Sequence, residues 1–251
     1  MAVTEDWLVP DWPAAPQVRA VCTTRRGGHS VGPYSSMNPA DHVGDDPAAV
    51  LANRQTLQQV LHLPAQPRWL QQVHGTTVID AADAFESGRV AVADAARCAT
   101  PGVVCAVLTA DCLPVLLCDR AGRQVAALHA GWRGLAAGVI EQTVDAMQQS
   151  GEALLAWLGP AISPAAYQVG DEVRESFMNH DSQAQAAFQP DPAGGWKADL
   201  YRLARQRLAA RGVSAIYGGN ECSFSDAERF YSYRRDGVTG RMATLIWLQA
   251  G

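Results

Sequence analysis

The stretch from Val103 to Leu135 constrains the fold more than any other part of the chain. Three short apolar runs, VVCAVL (Val103–Leu108), PVLLC (Pro114–Cys118) and QVAALH (Gln124–His129), follow one another closely and are bounded by Pro, Gly, Asp or Arg. Runs of this length with such boundaries suit strands buried on both faces, which puts the candidate site residues at strand ends. The DRAG sequence at Asp119–Gly122 supplies a tight turn and predicts that the second and third runs form a hairpin. The hairpin brings Cys112, just before one strand, and His129, ending the other, to the same edge of the sheet.

Immediately downstream, Leu135, Val139, Ile140, Thr143, Val144 and Met147 fall at helical spacing, which predicts one helix stopped by Gly151. HAGWRG is then a glycine-rich strand-to-helix connection. The free amides at such a helix start suit an anion, and an ordinary tight connection accounts equally well for the same residues. Two further helices are predicted, one capped by Asp46 with Pro47 at its first position and one capped by Asp199 and closed by Gly212. ALLAWLG, VSAIYG and MATLIWLQ read as strands, and DPAGGW around Gly194 and Gly195 reads as an exposed loop. Strands occur singly and in hairpins between helices, without the strict alternation of a doubly wound sheet. An α+β fold with mixed sheets is expected, as a single domain over residues 1–251, because surface scaling allows it and no long flexible joint divides the chain.

Charge bears on partners. A net charge of −5 leaves no dense basic face to offset phosphates or lipid headgroups, so neither nucleic acid nor a membrane surface is an expected partner. The opening MAVTEDWLVPDWPAAP lacks the basic start and continuous apolar run of a signal peptide, and a cytoplasmic protein is expected. The six cysteines form no C-x-x-C pair and predict reduced thiols; Cys105 and Cys118, inside apolar runs, read as small hydrophobes.

Three residues carry the strongest chemical signal. His74, in WLQQVHGTTVID, precedes Gly75, whose freedom permits a sharp turn that aims the ring into a cleft. Cys112, in TADCLP, lies two residues before Pro114, whose missing donor predicts an irregular or edge strand and an accessible thiol. Side-chain alternation sends Asp111 away from Cys112, so Asp111 reads as a supporting or structural acid. With His129, these supply one thiolate and two imidazoles, a set that suits a catalytic zinc with an open position, although the spacing matches no short zinc motif. The rival is a Cys112–His129 dyad with a thiolate nucleophile, which needs one histidine and no metal. Arg25, Arg26, Arg54, Arg133, Arg234, Arg235 and Arg241 offer guanidinium forks suited to phosphate, or are simply solvated.

TTRRGGHS, MNPADHVGDDP followed by NR, QQVHG, TADCLPVLL, HAGWRGLAAGVIE, LGPAISPAAYQVGDEV and FYSYRRDGVTGRMA occur in this order. Over nearly the whole chain this resembles the laccase-domain family, also labelled polyphenol oxidase or YfiH-like and described as purine nucleoside phosphorylases. The resemblance implies layered mixed sheets flanked by helices, similar to bacterial cysteine-hydrolase toxins, and Zn2+ held by His74, Cys112 and His129. It further implies phosphorolysis of adenosine, inosine, guanosine and 5'-methylthioadenosine to base plus sugar 1-phosphate, and deamination of adenosine. On that reading the partners are purine nucleosides and phosphate, Arg54, Arg133 and Arg241 are candidates to hold phosphate, and Asp111 is a candidate proton-transfer acid.

Alternatives stand beside this reading. One is a cysteine-type amidase or peptidase in peptidoglycan precursor editing, with Cys112 as nucleophile and His129 as base. Another, which comes from the residues and not from the resemblance, is a purely structural zinc beside a basic partner-binding cleft, favoured if Asp111 closes the site as fourth ligand. The third is a copper-dependent polyphenol oxidase: Cu2+ suits the same donors, but multicopper oxidation needs several sites, and the chain has six histidines, His29, His42, His62, His74, His129 and His180.

Overall fold

All three apolar runs form strands in a computed structural model of the chain, which describes residues 6–83 and 90–250; the second and third pair in one sheet and the first lies at the edge of another. The first five residues of the N-terminal stretch discussed above lie outside the described residues. In chain order the strands are β1 (Val18–Cys22), β2 (Leu70–Gln71), β3 (Val78–Asp80), β4 (Ala91–Val92), β5 (Ala95–Cys98), β6 (Val104–Thr109), β7 (Leu113–Asp119), β8 (Val125–Ala130), β9 (Leu154–Leu158), β10 (Gln168–Val169), β11 (Phe188–Pro190), β12 (Trp196–Ala198), β13 (Ala215–Gly218) and β14 (Met242–Leu248). The helices are α1 (Pro47–Val60), α2 (Trp132–Ala137), α3 (Val139–Ala146), α4 (Asp171–Met178), α5 (Leu200–Ala210) and α6 (Tyr233–Asp236).

β7 and β8 pair antiparallel across the expected turn, where the Asp119 carboxylate accepts from the backbone of Arg123 and Gln124. They sit in the middle of a six-stranded mixed sheet of order β13-β9-β7-β8-β5-β3, in which only β13–β9 and β3–β5 run parallel. Every residue of both strands is buried. Alternation divides them between two cores. Leu113, Val115, Leu117, Ala126 and Leu128 face Val139, Ile140 and Val144 of α3, Phe177 of α4 and Leu203 and Leu208 of α5. Leu116, Cys118, Val125 and Ala127 face Cys105, Val107, Met242 and Ile246 of a second, antiparallel sheet of order β1-β14-β6. The protein is thus α+β, with layered mixed sheets and helices on the outer face. No helix among the described residues is long and apolar enough to cross a membrane.

The expected caps form. Asp46 accepts from Ala48 N ahead of Pro47, and Asp199 accepts from Arg202 N. Two expectations need correction. The helix predicted to run to Gly151 is two helices: Gly138 adopts φ +101, closes α2 by donating to Gly134 O, and lets α3 restart at Val139 and end at Ala146. Gly151 instead opens the 3-10 turn that leads into β9. Pro114 is not at an edge, because β7 has β8 on one side and β9 on the other. Its carbonyl accepts from Gly159 N just past the end of β9, so the side where its donor is missing is the side where the ladder has already ended. The stretch around Gly194 and Gly195 is, as expected, an exposed connection, turning β11 into β12 with both glycines at positive φ.

Candidate metal centre

His74, Cys112 and His129 converge from three separate elements, and their ligand atoms all lie within 4.8 Å of one another. His129 is buried near the end of β8, Cys112 is half-buried in the β6–β7 connection, and His74 is exposed in the loop after β2. The sulfur of Cys112 is 3.8 Å from His74 Nε2, and the two imidazole rings meet edge to face with centroids 4.7 Å apart.

The His74 loop is held from two sides. The Gln72 side-chain amide pairs with the backbone of Leu108, donating to its carbonyl and accepting from its N–H, each at 2.8 Å. The backbone N–H groups of Val73, His74 and Gly75 all donate to the Asp94 carboxylate, at 3.2, 2.9 and 2.7 Å. The sharp turn expected from Gly75 falls on His74 itself, at φ +60, because gathering three successive N–H groups on one acceptor curls the backbone there. Asp94 also accepts from Nδ1 of His129 at 2.8 Å.

Asp111, likewise at positive φ (+87), lies in the bend between β6 and β7, where strand alternation does not apply, and its carboxylate is engaged elsewhere. One carboxylate oxygen accepts from the Ser223 hydroxyl at 2.7 Å and the other from Arg234 N at 2.6 Å. This ties the Cys112 connection to the segment before α6. Asp111 is not among the residues grouped as metal donors, which leaves three protein ligands and, for a tetrahedral metal, one position short.

Two glycines of the HAGWRG connection are there for space. A Cβ on Gly131 would stand 2.6 Å from His74 Cδ2 and 3.1 Å from Cys112 Sγ, and one on Gly134 would stand 2.7 Å from the carbonyl oxygen of Gly75. The connection is therefore pressed against the donor set.

The three donors open on a cavity of ≈ 390 Å³, whose lining also includes His42, Gln72, Thr109, Tyr233 and Arg241. A larger cavity of ≈ 540 Å³ lies over β1, lined by Trp7, Trp12 and Trp247, and holds no comparable donor cluster. Of the three candidate phosphate-binding arginines, only Arg241 lines the site cavity. Its guanidinium donates to the carbonyls of Thr239 and Gly240 and lies 5.8 Å from the centre of the Tyr233 ring. Arg54 stacks on Trp69 and pairs with Asp41 at 3.0 Å, and Arg133 stacks on Trp132; neither is among the lining residues. Arg25, Arg26, Arg234 and Arg235 are tied to backbone carbonyls and acids as clamps between loops. Asp94, His42 and Tyr233 were not singled out from sequence. Asp94 left one usable signal, a lone acid inside the small apolar run AVADAA.

The charges favour ligation. Burial pushes the Cys112 thiol up, but the positive His129 and hydrogen bonds from both imidazoles outweigh it and bring it down to about 6. Burial pushes His129 down, and the thiolate and Asp94 outweigh that and raise it to about 9. A metal-free centre at neutral pH is thus a thiolate beside an imidazolium, and a metal would displace the proton. In the metal-free protein, iodoacetamide should therefore alkylate Cys112 at a rate that rises with pH and levels off above about 6. An ordinary thiol levels off only above its usual value near 9, and a Cys112 profile of that ordinary kind, read by peptide mass spectrometry, would refute the charge pairing.

A thiolate and two imidazoles are a donor set for zinc, and also for copper. Among the described residues no other group of three or more His, Cys, Asp or Glu could hold a metal. Fold and site together define an α+β protein with an open His–Cys–His centre at the floor of a cavity. Residues 19–249 match the family described as multi-copper polyphenol oxidoreductase laccase, and the chain belongs to that family. It is 55% identical over 244 residues to a purine nucleoside phosphorylase of Pseudomonas aeruginosa, covering 97% of this chain and 98% of the relative. It is 53% identical over 242 residues to the purine nucleoside phosphorylase YfiH of Escherichia coli K12, covering 96% and 98%. The crystal structure of a Neisseria meningitidis protein superposes with a TM-score of 0.94 at 49% identity, covering 98% of this chain and 100% of that one.

Proposed function

We propose that this chain is a zinc-dependent purine nucleoside phosphorylase acting on adenosine, inosine, guanosine and 5'-methylthioadenosine. The observation that carries the reading is the open His–Cys–His centre sharing one nucleoside-sized cavity with the Arg241 guanidinium. Relatives that carry the phosphorylase name at about half identity over their full length support it.

Phosphorolysis forms a bond from a phosphate oxygen to the ribose C1' and breaks the bond from C1' to the purine nitrogen, whose electron pair then needs a proton. Arg241, half-buried and held by its carbonyl partners beside Tyr233, supplies fixed positive charge for phosphate. The exposed Tyr233 offers a ring face for the base. His42, which lines the cavity with Asp41 3.6 Å from its Nδ1, is the imidazole left outside the donor set and the group we assign to protonate the departing base. Zinc bound by His74, Cys112 and His129 would supply Lewis-acid charge. Copper fits the same donors, but a single cluster does not make the several sites that multicopper oxidation needs.

Deamination of adenosine belongs to the same reading and needs a second pose, since C6 and C1' cannot occupy one place. Asp111, with both oxygens engaged, serves here by holding the Cys112 connection rather than by moving protons. A reducing, cytoplasmic setting suits six free cysteines.

A second reading is favoured by one contact: Asp94 behind His129, with Cys112 in front, is also the arrangement of a cysteine amidase. Separation of products after incubation with inosine and adenosine, with and without phosphate and after chelation, tests both. Base release that needs phosphate and is lost on chelation is the expected result. Base release without phosphate would refute the phosphorylase reading, and phosphate-dependent release indifferent to chelation would refute its dependence on zinc.

A further inference from the structure

We propose that Asp94 is the positioning residue of the centre, one carboxylate that sets both imidazoles at once and fixes the tautomer of His129. The inference rests on the metal reading only for its consequence, not for its geometry. Asp94 is fully buried immediately before β5, and its carboxylate receives four hydrogen bonds. Its Oδ1 accepts from His74 N and His129 Nδ1, and its Oδ2 accepts from Val73 N and Gly75 N. The backbone carbonyl of Asp94 also accepts from His129 N at 2.7 Å, so residue 94 grips His129 at both main chain and ring.

A carboxylate can only accept, so the ring nitrogen facing it carries the hydrogen. His129 therefore keeps its hydrogen at Nδ1, and once the ring loses its second proton, to base or to a metal, the lone pair stands at Nε2 on the side of Cys112 and His74. The same carboxylate determines where the His74 loop sits, because all three N–H groups that shape it end there. Loss of Oδ2 would thus disturb the His74 loop alone, and loss of Oδ1 both histidines.

Asp94→Asn separates these roles from mere folding. If the new amide NH2 replaces Oδ2, it faces the donors of Val73 and Gly75 and the His74 loop lifts. If it replaces Oδ1, it donates to His129 Nδ1, drives the proton to Nε2 and removes the ligating lone pair. Either way, metal affinity should fall about 10- to 100-fold, the range for losing such a partner. The control is Gln72→Ala, which frees the same loop from Leu108 without touching His129.

The experiment has two readouts. The first is 15N NMR of the imidazoles in the metal-free protein at a pH where the rings are neutral. Wild type and Gln72→Ala should show His129 protonated at Nδ1, and Asp94→Asn should lose that signature or the order of the His74 loop. The second is zinc affinity by chelator competition, together with the visible spectrum of the cobalt-substituted protein. An Nε2–H tautomer in wild type overturns the proposal even if Asp94→Asn fails to fold. Wild-type zinc affinity and cobalt spectrum in a folded Asp94→Asn overturn it while leaving the metal reading intact. A wild type that binds no zinc but shows the Nδ1–H tautomer supports Asp94 as positioning residue and refutes the metal reading instead.

Discussion

His74→Ala should empty the centre and abolish phosphorolysis while leaving the fold and the Cys112–His129–Asp94 contacts in place. The ring of His74 is exposed, so removing it opens no core cavity, and the thermal midpoint should move little. Binding is another matter. A structural zinc site of four ligands is worth about 10–16 kcal/mol, so one ligand carries roughly 3–4 kcal/mol, or about 10²- to 10³-fold in affinity. This substitution discriminates more sharply than Cys112→Ala, which removes a metal ligand and a nucleophile together. A thiol enzyme needs only the His129 partner and should keep most of its turnover in His74→Ala. Zinc analysis and nucleoside turnover on the same preparation decide it: full nucleoside turnover in a metal-depleted His74→Ala protein would end the zinc reading.

How much of this was legible beforehand depends on the range of the interaction. The strands around Cys112 and His129, the hairpin between them and the Asp46 and Asp199 caps are local, and apolar periodicity and capping chemistry expose them directly. Convergence of His74 on the other two was legible through resemblance more than spacing, because a loop after β2 reaches β8 only through tertiary packing. Asp94 escaped notice because one acid among alanines has no periodic signature, and its four donors come from positions 20 or so residues earlier and 35 residues later. Pro114 misled for a related reason. A missing donor marks an edge only when a neighbour needs it, and here β9 ends before it would. Gly138 misled because helical spacing continues across it, while the backbone takes the left-handed turn that glycine alone adopts without strain.

The glycines beside the donors can be made to report on the site without touching a ligand. Gly131 has φ −62 and ψ 153, a conformation open to any residue, so Gly131→Ala carries no backbone penalty. Its cost is contact, with a new methyl 2.6 Å from His74 Cδ2 and 3.1 Å from Cys112 Sγ. In the metal-free protein the exposed His74 ring can swing aside, and stability should hardly change. In the loaded protein the ring has to stay, so the overlap is felt as lost affinity. Overpacking of this kind costs about 1–3 kcal/mol, or roughly 5- to 150-fold in metal binding. Gly134→Ala should behave differently, because its methyl would meet the Gly75 carbonyl oxygen at 2.7 Å, and backbone cannot rotate out of the way. That variant should lose thermal stability with or without metal. Chelator competition and thermal melts on both proteins, each with and without zinc, give four numbers with a required pattern. If Gly131→Ala binds zinc as tightly as wild type, His74 does not occupy the ligating position beside Gly131, and the centre described here is not the one that holds metal.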